Sequence, residues 1–143
     1  MAHFAKLDGN NQVIDIIFIN NKHMLTEGGI ERETIGLAYI EEQYGVGNWK
    51  QCSCKTSVGV HRGGRTPLRA NYPGIGSLYN PTHDIFHEPL YKDKDGDVRT
   101  SWTLNTTKGI WEPPIACPGV PDAEYKWDES LYQSDNTKGW VAV

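Results

Sequence analysis

No acidic residue occurs between Glu42 and Asp84, although Lys50, Lys55, Arg62, Arg65 and Arg69 all fall in that interval. A stretch carrying one sign of charge is not neutralised by its own neighbours, so it marks a surface for an acidic counterpart. Long apolar runs are missing as well, none approaching the roughly 20 residues that cross a bilayer. The opening Met1-Ala2-His3-Phe4-Ala5-Lys6 lacks the basic and apolar regions of a signal peptide. No membrane partner is therefore expected, and synthesis in a cytosol is. Cysteine is scarce: Cys52, Cys54 and Cys117 are three, and the first two stand too close in an extended chain for an ordinary disulfide. Free thiols are the expectation.

Catalytic signatures are also lacking. There is no nucleophile elbow, phosphate loop or paired-histidine zinc motif, and Gly74-Ile75-Gly76 lacks the third glycine and the strand-to-helix context of a dinucleotide fingerprint. The chain reads as a non-enzyme, with no cofactor and no resident metal.

What is present fits one domain over 1–143, large enough to bury roughly two-thirds of the surface its unfolded form exposes. Fifteen Gly, eight Pro, five Trp and seven Tyr suit short strands, many turns and aromatic anchors. The fold class is mainly β with a minor α+β character: antiparallel hairpins or a meander, one short helix and a long basic loop or arm. In residues 1–54, segments 2–8 and 12–19 flank the turn Asp8-Gly9-Asn10-Asn11 as a hairpin. Apolar Ile35, Leu37, Ala38, Ile40 and Tyr44 then give a helix of about ten residues stopped by Gly45 and packed on that hairpin. A strand follows over 47–54. Residues 55–73, polar and rich in Gly and Pro, read as an exposed basic arm.

Residues 74–143 read as three hairpins pinned by Tyr79 with Phe86, Trp102 with Trp111, and Tyr125 or Trp127 with Trp140. The first two return strands should stop at Pro89 and Pro113, because proline cannot donate onward to a ladder.

Four other patterns carry candidate chemistry. Asp93, Asp95 and Asp97 alternate as calcium ligands do, but Val98 and Leu104 stand where a calcium loop wants Gly and a bidentate acid, and an Asp-Gly turn accounts for them more simply. His83, His87, Cys52 and Cys54 are weak zinc candidates beside true zinc spacings. The tryptophans could stack sugars, but they also supply the core of a domain short of large aliphatics. Nucleic acid is not expected, since the net charge is −4 and few aromatics flank the basic stretch. That stretch is better matched to an acidic protein surface, and the acidic half of another copy qualifies: residues 71–143 carry 6 basic against 11 acidic groups.

Taken in order, Met1–Asp8 with Val13-Ile14 and Asn20-Asn21, the centre Gly47–Gln51, then Asn71–Gly76, and the closing Tyr125–Glu129 with Trp140 resemble a family of small virion-associated proteins of tailed phages infecting cyanobacteria and other aquatic bacteria. The resemblance implies a virion component assembled in the host cytoplasm, a homo-oligomer or lattice contacting phage capsid or tail proteins. It transfers no site residues. On this footing the chain is expected to be a capsid decoration (cement) protein stabilising neighbouring subunits, with partner binding through Lys50, Lys55, Arg62, Arg65 and Arg69. The alternatives are a tail, baseplate or fibre-associated structural protein, or a glycan-binding module for host attachment.

Overall fold

A computed structural model describes all of residues 1–143. The chain divides into two compact units where length alone suggests one domain: residues 1–88 with 106–109, and residues 89–105 with 110–143. Each gathers its own apolar anchors, aliphatic and aromatic in the first and mostly indole in the second. The architecture is mainly β, built from antiparallel ribbons, with one full-length helix.

In the first unit β1 (Ala2–Leu7) pairs antiparallel with β2 (Val13–Ile19) on one side and β3 (Asn48–Cys52) on the other. The turn is set by Asp8, whose Oδ1 accepts from the backbone N–H of Asn10 (2.8 Å) and Gln12 (2.9 Å). As the central strand, β1 is covered on both faces, which is why its sequence alternates only loosely. Ala2 and Phe4 join Ile19, Met24, Ile40 and Trp49 in one core, and Ala5 and Leu7 join Val13, Cys52, Tyr79 and Phe86 in the other.

Helix α1 (Glu33–Tyr44) ends where expected, at Gly45, which takes φ 88° and donates its N–H to the carbonyl of Glu41. The buried positions are Gly36 and Ile40, four apart, whereas Ala38 and Tyr44 of the expected stripe are exposed. Gly36 decides this, because a Cβ there would strike Met24 Sδ and lie 2.8 Å from Phe4 Cζ. Gly36→Ala is accordingly expected to destabilise by about 1–3 kcal/mol in urea unfolding, despite the gain in helix propensity. A neutral or stabilising result would mean that helix and sheet can separate freely.

The hairpin of β6 (Leu78–Asn80) and β7 (Ile85–His87) sets Tyr79 opposite Phe86, with ring centroids 5.5 Å apart. It joins β2 through Val13, whose N–H donates to Ser77 O and whose carbonyl accepts from Gly76 N, each at 2.8 Å. Between β3 and β6 lies a two-residue ribbon, β4 (Thr56–Ser57) with β5 (Val60–His61).

In the second unit β8 (Thr103–Asn105) pairs with β9 (Ile110–Glu112), and β10 (Tyr125–Trp127) with β11 (Trp140–Ala142). Strands β7 and β9 do stop short of Pro89 and Pro113. The hairpins do not join into a meander, because the stretches 89–102 and 113–124 contribute no strand to carry a ladder across. Trp102 does not pair with Trp111 either: Leu104 lies opposite Trp111, and Trp102 sits just before the strand with its ring edge-on to Trp127 at 5.7 Å and Trp140 at 6.0 Å. Trp127 and Trp140 are partners as expected, 5.2 Å apart. Between them runs α2 (Glu129–Ser134), capped by Asp128, whose Oδ1 accepts from Leu131 N at 2.8 Å.

Candidate functional site

Beyond Cys52 the chain leaves β3 and reverses at Val58-Gly59, both at positive φ, to form the β4–β5 ribbon. Polar bonds brace the ribbon against the body of the first unit. Thr56, buried, accepts from Leu68 N through Oγ1 (3.3 Å) and from Tyr72 N through its carbonyl (2.9 Å), and Gly59 N donates to Ala70 O (2.9 Å). Asn71 is the hub. Its Oδ1 accepts from Val58 N (2.8 Å), and its Nδ2 donates to the carbonyls of Phe86 and Gly109 (each 2.9 Å) and Lys108 (3.2 Å). Of the arm expected over 55–73, residues 62–66 are exposed, while 67–73 run back along the body with Ala70 and Pro73 buried. The segment forms a braced lip.

The lip overhangs a cleft of about 780 Å³ lined by His3, Cys54, Lys55, His61, Arg65 and Thr66, with Glu31 as the one carboxylate on its wall. Both imidazoles are oriented from behind. His61 Nδ1 accepts from Gly63 N at 2.9 Å, so its neutral ring carries hydrogen on Nε2. His3 Nδ1 lies 2.9 Å from Tyr72 Oη, and burial above all holds its pKa below the usual imidazole value, keeping it neutral at pH 7. The three cysteines are free; burial pushes the Cys52 thiol up to about 12, outweighing the pull of Arg69, whereas Cys54 is exposed.

The five expected partner-binding residues separate into different roles. Lys55 and Arg65 line the cleft and enter no ion pair. Arg62 donates through Nη2 to the carbonyl of Cys54 at 2.9 Å, which ties the lip to its own root. Lys50 lies over the Tyr79 ring, Nζ 5.3 Å from its centroid. Arg69 is built into the fold: Nη1 lies 3.0 Å from Glu33 Oε1 and donates to Gln51 O at 2.8 Å, and Nε donates to Asp84 Oδ1 at 2.7 Å. His3 and His61 were not legible as cleft residues, although His61-Arg62-Gly63-Gly64-Arg65 gathers donors around a flexible pair of glycines.

The other candidates, the cysteines apart, lie outside the cleft. The Asp93–Asp97 turn forms, with Gly96 at φ 89° and Asp93 N bonded to Asp97 O at 2.7 Å. Asp93 Oδ1 accepts from the N–H groups of Asp95 (2.8 Å) and Asp97 (2.9 Å), and Oδ2 accepts from Glu129 N (2.8 Å). Asp93, Asp95 and Asp128 converge, and Lys94 supplies a counter-charge from within, its Nζ 2.7 Å from Asp95 and 3.2 Å from Asp128. His87 is buried with Nδ1 2.8 Å from Glu88 O, and His83 is exposed; they do not gather with the cysteines. Trp49 and Trp127 are buried, and Trp102, Trp111 and Trp140 are half-buried. No helix is long and apolar enough to cross a membrane.

In comparisons with known proteins, the chain matches no family model, no curated protein and no solved structure.

Proposed function

We propose that the chain is a non-enzymatic structural protein of a tailed bacteriophage particle, most simply a capsid decoration protein that holds neighbouring subunits together. The observation that carries this reading is the braced cationic lip. A protein that clamps neighbours needs charge presented at fixed geometry, since a floppy arm loses ordering entropy on every contact. Here Thr56 and Asn71 fix the lip, and Lys55 and Arg65 enter no ion pair within the chain. Weak contacts of this kind become strong when repeated over a symmetric shell or ring. The sequence resemblance supports the particle setting, and the lip supports the clamping role.

Quantitative mass spectrometry of density-purified particles tests this reading. A copy number comparable to that of the major capsid protein is the expected result. A few to a few dozen copies would move the protein to the tail, baseplate or fibre apparatus, and absence from clean particles would overturn the structural reading.

A further inference from the structure

We propose that the cleft under the lip is the seat of an acidic peptide segment of the partner protein, whose carboxylates are taken by Lys55 and Arg65 and by the Nε2–H of His61. The inference rests on the reading of the lip as the partner-binding face and names what that face recognises. Two cations line one concavity with no ion pair of their own, and a third donor, His61, has its tautomer set by the backbone N–H of Gly63 at 2.9 Å. Such a site is prepared for carboxylates before any ligand arrives, so little ordering is needed on binding.

The remaining wall favours a peptide over a bare oxyanion. Asn21, Gln51, Ser53 and Thr66 offer both donors and acceptors, which match the alternating C=O and N–H groups of a polypeptide, whereas a phosphate presents acceptors almost alone. The cleft, about 780 Å³, lies within the size range of small-ligand sites, room for a short stretch of side chains and not for a folded element. Two cations with Glu31 on the same wall make a short site and not the continuous basic track that draws a nucleic-acid strand.

The test uses the full chain with Cys117 replaced by Ser, so that Cys54 in the cleft wall is the one exposed thiol; Cys52 is buried and its thiol is raised to about 12. Hexaglutamate is titrated at low salt while alkylation of Cys54 is followed. The expected result is binding that slows alkylation, is screened by added salt, and weakens by about tenfold or more in Lys55→Ala/Arg65→Ala. Lys50→Ala, which lies over Tyr79 and off the cleft, should bind hexaglutamate as the parent does. Hexalysine should not protect Cys54.

Equal affinity in the double variant, binding without protection of Cys54, or displacement of hexaglutamate by an equal concentration of inorganic phosphate would each overturn the proposal. Lys55, Arg65 and Cys117 are exposed and Lys50 is half-buried, and near-ultraviolet circular dichroism checks that each variant is folded. Failure here can be told from failure of the particle reading. Presence in virions with Cys54 unprotected sinks only the peptide site, and protection of Cys54 with absence from virions sinks only the particle.

Discussion

Replacing Glu129 with Gln should lower the stability of the second unit by about 3 kcal/mol, because it removes a buried carboxylate that five donors surround. Oε1 accepts from Ser101 N (2.9 Å), Thr100 Oγ1 (3.0 Å) and Gln133 Nε2 (3.0 Å); Oε2 accepts from Ser101 Oγ and Trp127 Nε1, each at 2.7 Å. A glutamine fills the same space, but its amide NH2 must face one of these sets, donor against donor, whichever way it turns. Trp127 is wholly buried and its indole N–H has no water to turn to. Four of the five tryptophans belong to this unit, so urea unfolding followed by tryptophan fluorescence reports on it. An unchanged midpoint would mean that the network forms without contributing to stability.

The same carboxylate fixes the sign of an acid response. Burial pushes the Glu129 pKa up from 4.5, but the hydrogen bonds from Trp127, Gln133, Ser101 and Thr100 outweigh it and bring the group down to about 2. A group held low in the folded state contributes stability that is complete above its unfolded value and is lost as pH falls through its folded one. The second unit should therefore weaken between about pH 4.5 and 2. Asp93, whose pKa burial raises but backbone N–H bonds from Glu129, Asp95 and Asp97 lower overall, acts in the same direction. In Glu129→Gln the loss across this window should be shallower than in the parent. Equal slopes would assign the acid response to other carboxylates.

Where structure follows from neighbours in the chain, the sequence already told much of it. The β1–β2 hairpin follows from Asp8 and its turn, α1 from its stop at Gly45, and the strand ends from Pro89 and Pro113, all effects reaching only a few residues. Trp102 was misplaced because aromatic spacing cannot tell a ring that faces across a ribbon from one that leaves the strand to meet Trp127 and Trp140. Helix α2 went unread, because six residues are too few to show periodicity. The basic stretch was visible as charge, but its division into cleft residues and a structural clamp was not. Arg69 meets Glu33 and Asp84, 36 and 15 residues away, and nothing local distinguishes it from Arg65.

That distinction yields the other large expected effect: Arg69→Ala should cost about 3 kcal/mol, while Lys55→Ala and Arg65→Ala stay within about 0.5 kcal/mol of the parent. Arg69 and Glu33 together close the outer edge of β3. Glu33 Oε1 accepts from Gln51 N at 2.9 Å while Arg69 Nη1 donates to Gln51 O at 2.8 Å, so an ion pair occupies the groups that another strand would otherwise bind. Removing the guanidinium strands Glu33 without its counter-charge and opens that edge; Asp84, more exposed, adds less. Arg69 and Ala70 both sit in left-handed backbone, φ 50° and 63°, a conformation costing about 1 kcal/mol or more per non-glycine residue. The clamp holds the chain there. Arg69→Gly separates the two contributions, since glycine relieves the backbone cost but supplies no fork. If Arg69→Gly remains about 2 kcal/mol less stable than the parent in urea unfolding, the clamp dominates. If it matches the parent, relief of the backbone cost offsets the lost clamp, and the loss in Arg69→Ala alone measures the clamp, because arginine and alanine carry the same left-handed cost. Arg69→Lys should recover only a small part, because a single ammonium cannot serve Glu33, Asp84 and the Gln51 carbonyl in their fixed directions.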